Sequence, residues 1–409
     1  MRILLVNTHH FRGGGDSTYT FNLADLLRSQ GHEVAFFAMQ DARNLPDANA
    51  DLFVSNIDFR EANRRKNITN GLRILGRVIY SKEARSKFGQ LLNRFKPDIV
   101  HLQGIHHHIS PSIIFEARQR GLPVVWTLHD YKLICPNTHF LIDKTSQICE
   151  ACGKRAYYQP IVKRCKKGSL FVSGIASLEA YAHWLLNIRN RVDAFFAPSQ
   201  FLRKKLLDRG FMASKVHLLP NFLPADKFNP SVTDGTYFLF LGKLEPIKGV
   251  YPLLQAFARA PEAELVLAGS VDGILEQTLH QLIPTNARYV GLKHGVELQN
   301  LISGAQAVIL PSLWYENQPY SILEAFGFQK PVIASDLGGM IELIGKNQRG
   351  ILVKPGDIDG LRDALVWFKM HPKDAQAMGA RAYQYAHNMH SAEKHYMDLM
   401  SVYTAVMKG

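Results

Sequence analysis

Residues 307–325 read Ala-Val-Ile-Leu-Pro-Ser-Leu-Trp-Tyr-Glu-Asn-Gln-Pro-Tyr-Ser-Ile-Leu-Glu-Ala: an apolar run, a polar loop opened by Pro311, and a helical stretch beginning near Tyr320. An apolar strand without alternation belongs in a sheet covered on both faces, and strand, loop and helix in that order are the unit from which parallel sheets are wound. The same grammar recurs along all 409 residues. In the first half, residues 3–6, 34–38, 98–102, 123–128 and 193–197 read as strands; in the second, residues 238–241, 264–268, 307–310, 331–334 and 350–353 do. Helices fall between them, for instance residues 18–29 closed by Gly31 and residues 110–120 closed by Gly121. The expected fold class is α/β, with two doubly wound, Rossmann-like domains in tandem. Residues 219–236 hold three prolines and little periodicity, which places the hinge there. The expected domains are therefore 1–222 and 223–386, with the helical residues 387–409 packing back on the first.

Composition narrows the class further. Hydrophobic residues make up 46% and charged residues 20%, which excludes extended disorder. The apolar runs fall far short of the ~20 residues that span a bilayer. Residues 1–6 read as a first buried strand and not as a secretory signal, so a cytoplasmic protein is expected. The net charge of +13 is uneven: residues 1–200 hold 27 Lys/Arg against 16 Asp/Glu, and residues 201–409 hold 21 against 19. The excess gathers in residues 60–96, where eleven basic residues face only Glu61 and Glu83, and in Lys154, Arg155, Lys163, Arg164, Lys166 and Lys167. Such clusters attract nucleic acid, anionic lipid or phosphorylated substrates, or are simply a solvated surface.

Parallel sheets bind ligands at the carboxyl ends of their strands, so the loops there carry the chemistry. The first, residues 7–17, contains Gly13, Gly14 and Gly15 before a helix; glycines let backbone N–H groups approach an anion, although a plain flexible loop fits equally. A second runs from Gly242 to Gly249 and puts Lys243 and Lys248 beside a helix start, an arrangement suited to a diphosphate, although surface lysines before helices are common. In the opening stretch, Glu316 stands in the loop and Glu324 a turn inside the helix; either the two carboxylates face one crevice and accept hydrogen bonds from sugar and ribose hydroxyls, or they are a loop acid and an unrelated helix-surface Glu, and spacing alone favours the second.

Glu316 and Glu324 with their spacing, Lys248-Gly249 after Gly242-Lys243, Leu219-Pro220-Asn221, and Thr127-Leu128-His129-Asp130 together resemble the retaining GT-B glycosyltransferases of family 4 over essentially the whole chain. The resemblance implies two Rossmann-like domains facing each other across a cleft, with a nucleotide-sugar donor, UDP- or GDP-linked, held mainly by the second and the acceptor by the first. It implies that Lys243 and Lys248 bind the diphosphate, Glu324 the ribose, Glu316 the transferred sugar, and His129 the sugar near its hydroxymethyl group. Gly14 and Gly15 would lie against the phosphates, and Gly242, Leu292, Asn317, Pro319, Tyr320 and Ser321 would complete the donor contacts. The family usually carries Arg where this chain has Lys243, and often Gly-Phe-Gly where it has Asn317, Gln318 and Pro319. The implied reaction is hexosyl transfer with retention to a saccharide or lipid-linked saccharide, in surface polysaccharide, lipopolysaccharide or glycolipid synthesis. No Asp-x-Asp at a strand end offers a catalytic metal site, so a metal-independent enzyme is expected, its cations stabilising the leaving diphosphate.

Cys135, Cys149, Cys152 and Cys165 lie close in sequence, and the Cys149-x-x-Cys152 spacing suits a structural zinc knuckle as well as it suits free thiols. Two other functions fit parts of the sequence: a nucleotide-sugar epimerase of the same fold, and a basic nucleic-acid-binding protein with a zinc knuckle. The second leaves the Glu316 and Glu324 stretch without a role, and no nucleic-acid partner is expected. A peripheral contact with the anionic inner face of the plasma membrane accounts better for the basic face.

Overall fold

The computed structural model describes residues 1–56, 76–230, 235–271 and 273–408. The basic run at 60–96 therefore lies partly outside the described residues, as does part of the expected hinge at 219–236. Two compact units emerge: the first comprises Met1–Pro198, Leu202–Leu219 and Tyr396–Gly409, the second Ser199–Phe201 and Pro220–His395.

The first unit is built on strands β1 (Arg2–Val6), β2 (Glu33–Phe37), β3 (Ile99–Leu102) and β4 (Val124–Thr127), a short antiparallel hairpin of β5 (Leu141–Ile142) and β6 (Gln147–Ile148), and strands β7 (Ala194–Ala197) and β8 (Val216–Leu218). Its main sheet is parallel, in the order β2-β1-β3-β4-β7-β8, with Leu4 paired to Ala35 on one side and to Val100 on the other. Every residue of β3, β4 and β7 is buried, because crossover helices cover both faces. Helix α1 (Gly15–Ser29) buries Tyr19, Leu23, Ala24 and Leu27; Gly31 follows its end at φ +80°, where a side chain would be strained. Helices α2 (Lys82–Phe95), α3 (Ser112–Gln119), α4 (Gln159–Lys163), α5 (Leu170–Leu185) and α6 (Gln200–Asp208) follow.

The second unit repeats the plan with β9 (Tyr237–Leu241), β10 (Leu265–Ala268), β11 (Ala287–Tyr289), β12 (Ala305–Leu310), β13 (Val332–Ser335) and β14 (Gly350–Val353), all parallel in the order β11-β10-β9-β12-β13-β14. Phe238 and Phe240 join one buried cluster while Leu239 joins another, so successive residues of β9 feed the two helix layers. Those layers are α7 (Val250–Ala258), α8 (Gly273–Leu282), α9 (Gly295–Ser303), α10 (Tyr320–Gly327), α11 (Met340–Ile344), α12 (Ile358–Met370) and α13 (Pro372–Met389). In both sheets the order reverses beside the first strand, between β1 and β3 and between β9 and β12. Loops diverge at such a switch point and leave a crevice.

The unit boundaries fall at Leu219/Pro220 and at His395/Tyr396, not at 222/223 and 386/387. The polar bonds explain the shift. Leu223 N–H donates to His390 O at 2.8 Å, His390 Nδ1 lies 2.7 Å from Asn221 O, and His395 Nδ1 lies 2.8 Å from Pro220 O, so residues 387–395 stay with the second unit. Beyond them α14 (Ala392–Lys408) delivers Leu399 and Tyr403, both fully buried, to the first unit. There the Tyr403 hydroxyl lies 2.6 Å from His101 Nδ1, and His101 Nε2 lies 2.7 Å from Thr127 Oγ1.

Candidate active site

In the second unit the switch point is formed by the loops after β9 and β12. Leu313 N–H donates to Ile247 O at 2.8 Å, which stitches the loops together. Gly249, at φ +75°, lies so close to Pro311 that a Cβ would sit 1.9 Å from the Pro311 carbonyl oxygen. Only glycine allows that approach. Lys248 is thereby placed next to Glu316: its ammonium lies 2.6 Å from Glu316 Oε1, which also accepts from Ser312 Oγ at 2.7 Å and Trp314 Nε1 at 2.9 Å. Glu316 is buried, and the Lys248 ammonium also stands 5.1 Å from the centre of the Trp314 ring. Three donors converge on one carboxylate oxygen and orient it, while Oε2 takes none of them. Lys248 keeps further N–H donors for an anion.

The same loop is backed by a turn that sequence reasoning missed. Gly339 N–H donates to Glu316 O at 2.8 Å, and a Cβ on Gly339 would lie 1.6 Å from Asn317 O. Gly338 sits at φ +60° with its would-be Cβ 2.7 Å from Glu316 O. The Gly-Gly pair after β13 was the available signal. Lys243 lies at the exposed rim, 3.1 Å from Glu245 Oε2, and Gly242 follows β9 at φ +154°. A Cβ on Gly269 would sit 1.8 Å from Gly242 O, so the loop after β10 closes on this one as well.

Glu324 lies in the middle of α10, half-buried, and burial pushes its carboxyl up from 4.5 to about 7 against the opposing pull of Lys227. Pro319 is the N-cap of α10, and Tyr320 and Ser321 open the helix. The side chains of Asn317 and Gln318 are taken up by the framework: Ser199 Oγ donates to Asn317 Oδ1 at 2.6 Å, and Asn221 Nδ2 donates to Gln318 O at 3.0 Å while its backbone N–H donates to Gln318 Oε1. Leu292 is exposed in the loop after β11.

In the first unit, His129 follows β4 and its Nε2 lies 2.7 Å from Gln103 Oε1, with the ring edge-on to Tyr19 at 5.0 Å. Burial holds its imidazole below the usual range despite Asp16 and Asp130 nearby, so it is neutral at pH 7. Burial also raises the carboxyl of Asp130. Asn7 Oδ1 accepts from Gly104 N–H at 3.0 Å, which ties together the loops after β1 and β3. Gly14 is the N-cap of α1 and Gly15 its first residue. Asn7 and Gln103 were not singled out in the sequence; only their place directly after strands could have marked them.

Of the two readings of the cysteines, the zinc site gains no support. All four are free thiols, with Cys135, Cys152 and Cys165 buried. Among the described residues no group of three or more His, Cys, Asp or Glu side chains is arranged to hold a metal ion. Burial raises the Cys135 thiol. Cys152 and Cys165 are pushed to about 12, first by burial and then by the other thiols.

Two family matches cover this chain: "Glycosyltransferase Family 4" over residues 13–227 and "Glycosyl transferases group 1" over residues 224–385. The chain belongs to glycosyltransferase family 4, with a GT-B fold of two Rossmann-like domains. An uncharacterised glycosyltransferase of Methanocaldococcus jannaschii is 34% identical over 31% of this chain and 34% of its own. A phosphatidyl-myo-inositol mannosyltransferase of Mycolicibacterium smegmatis is 25% identical over 90% of this chain and 84% of its own. The chain spans only 34% to 53% of the first curated relatives it matches. A sucrose-phosphate synthase of Thermosynechococcus elongatus shares the fold at a TM-score of 0.73 and 18% identity, covering 100% of this chain and 99% of that one. Anabaena HepE in complex with UDP shares it at 0.70 and 15%, covering 99% and 100%. The epimerase and nucleic-acid-binding readings gain no support from these matches.

Proposed function

We propose that the chain is a retaining hexosyltransferase that takes a UDP- or GDP-linked sugar and needs no metal for catalysis. The observation that carries this reading is the convergence of Lys248, Ser312 and Trp314 on one oxygen of Glu316 at the switch point of the second unit. Glu316 holds hydroxyls of the transferred sugar through Oε2. Lys248, with Lys243 at the rim, meets the diphosphate as charge develops on it, a contribution typically worth on the order of 10² to 10³ in rate. Glu324 receives the ribose hydroxyls, and His129, neutral at pH 7, binds the sugar. The anomeric carbon–diphosphate bond breaks as a bond to the acceptor oxygen forms on the same face, and the hydroxyl proton passes to the departing phosphate oxygen. Asn317, Gly14, Gly15, Gly242, Leu292, Pro319, Tyr320 and Ser321 remain donor contacts in this reading, with Asn317 acting through its backbone because Ser199 occupies its side chain.

The acceptor is a saccharide or lipid-linked saccharide of a surface polysaccharide or glycolipid, handled by the first unit at the cytoplasmic face of the membrane. The Mycolicibacterium relative, named for a lipid acceptor, supports this. No helix of the described residues is long and apolar enough to cross a membrane. The test is incubation with α-linked UDP- and GDP-hexoses and lipid-linked acceptors in the presence of EDTA, with the product anomer read by NMR. An α-linked product formed in EDTA is expected. A β-linked product refutes retention, and activity lost in EDTA and restored by magnesium or manganese refutes metal independence.

A further inference from the structure

Helix α5 is built inside out. The residues it buries are Ser173, Ala176, Ser177, Glu179 and His183, whereas Phe171 is 72% exposed, Leu178 50% and Leu185 74%. With Ile175 and Ala182, these exposed residues follow a spacing of three, four and seven, one continuous stripe of the helix. A surface helix of a soluble protein normally presents the opposite pattern. The polar inward face has a local cause: Glu179 pairs with Lys132 at 2.6 Å, both almost fully buried, and Ser177 Oγ donates to Ser173 O at 3.0 Å. That accounts for the polar residues inside and leaves the apolar residues outside unexplained. Helix α4, packed beside α5, extends the outer face with Val162, 70% exposed, and Tyr158.

The surrounding charge identifies what covers this face. Between residues 141 and 192 there are nine Lys or Arg against three carboxylates: Glu179 is buried, Glu150 is paired with Lys205, and Asp143 is exposed and accepts from the Lys167 backbone N–H at 2.7 Å. Lys163, Arg164 and Lys167, in and after α4, are exposed, as are Lys154 and Arg155, and the Arg155 guanidinium stands 5.1 Å from the Trp184 ring. A second copy of this chain, itself at a net charge of +13, would bring a like-charged face and offers no reason for so basic a rim. An anionic bilayer does: aliphatic and aromatic side chains enter the headgroup boundary, Trp and Tyr sit at its level, and Lys and Arg meet the phosphates. We infer that α4 and α5, with Phe171, Leu178, Leu185 and Val162 inserted and Lys163, Arg164 and Lys167 around them, form the surface by which the first unit docks on an anionic membrane. The inference deepens the membrane part of the function proposed above and rests on it for its biological sense, while its test is independent of turnover.

The full chain is sedimented with vesicles of phosphatidylcholine alone and with vesicles containing about a third phosphatidylglycerol, at low and high salt. Binding to the anionic vesicles is expected, weakened by salt and reduced roughly tenfold or more in the double variant Phe171→Ser, Leu185→Ser and, separately, in Lys163→Glu, Lys167→Glu. The second variant touches only exposed lysines, so it decides the matter if the first misfolds. Equal binding to neutral vesicles, or binding unchanged in a folded variant of either kind, overturns the proposal. A concentration-dependent dimer abolished by Phe171→Ser, Leu185→Ser also overturns it, because a second copy then covers the face. A chain that turns over nucleotide sugar yet ignores vesicles removes this surface and leaves the transferase standing; a chain that binds vesicles but turns over no donor does the reverse.

Discussion

Glu324 titrates in two different places, and the difference predicts a trade of stability for binding. In the unfolded chain its carboxyl ionises at its ordinary 4.5; in the folded chain burial raises this to about 7. The folded chain therefore holds an extra proton between those values, so stability is full below pH 4.5, falls as pH rises through 7 and then levels. The interval corresponds to at most about 3 kcal/mol, and because Glu324 keeps part of its surface in water, about 1–2 kcal/mol is the realistic loss. Glu324→Gln removes that loss. At pH 8.5 the variant should unfold about 2–8 °C above the parent, and at pH 5 the two should nearly coincide. At pH 8.5, where Glu324 is ionised, the same variant should bind the nucleotide roughly tenfold more weakly, since a neutral amide replaces a charged acceptor for the ribose hydroxyls. Differential scanning calorimetry across pH and nucleotide titration of the same samples check both halves. A melting difference independent of pH, or one of opposite sign, refutes the assigned titration; unchanged nucleotide affinity refutes the ribose role.

Lys248→Ala should lower kcat by on the order of 10² to 10³, and Lys243→Ala, at an exposed rim position, by much less; steady-state kinetics compare them. Gly339→Ala drives a methyl group to 1.6 Å from the Asn317 carbonyl oxygen, so urea unfolding should show a loss of about 1–3 kcal/mol or more, together with reduced turnover as the Glu316 loop is displaced. Lys132→Met should destabilise by about 3–5 kcal/mol by leaving Glu179 buried and unpaired, whereas Lys132→Met with Glu179→Leu should recover most of it, measured by the same unfolding curves.

The strands at the centre of each sheet are plain in the sequence because both of their faces are covered, and residues 99–102 and 307–310 are therefore apolar without interruption apart from His101. Two of the four edge strands, β8 and β11, are not. In β8 only Val216 is buried, and β11 has three residues and none fully buried, so neither shows a hydrophobic run to recognise. Glu316 and Glu324 could be singled out because a strand, a loop and a helix succeed one another locally. What orients Glu316 could not: Lys248 lies 68 residues away, and its approach depends on Gly249 fitting under Pro311. The roles of Asn317 and Gln318 were hidden for the same reason, their partners being Ser199 and Asn221. Cysteine spacing decided nothing between zinc and free thiols, because it does not fix how the chain between the thiols runs. In α5 the apolar residues signal a helix but give the wrong inward face, since the buried Lys132 demands Glu179 on the inside.

Binding of a nucleotide-sugar donor by the second unit through Lys248 and Glu316 is read out by thermal unfolding with UDP, GDP, ADP and their hexose conjugates, beside Lys248→Ala. One nucleotide family at ~100 times its dissociation constant should add roughly 2.7 kcal/mol to the stability of the parent chain and distinctly less to the variant. Stabilisation by none of them, or equal stabilisation of both proteins, would contradict the account.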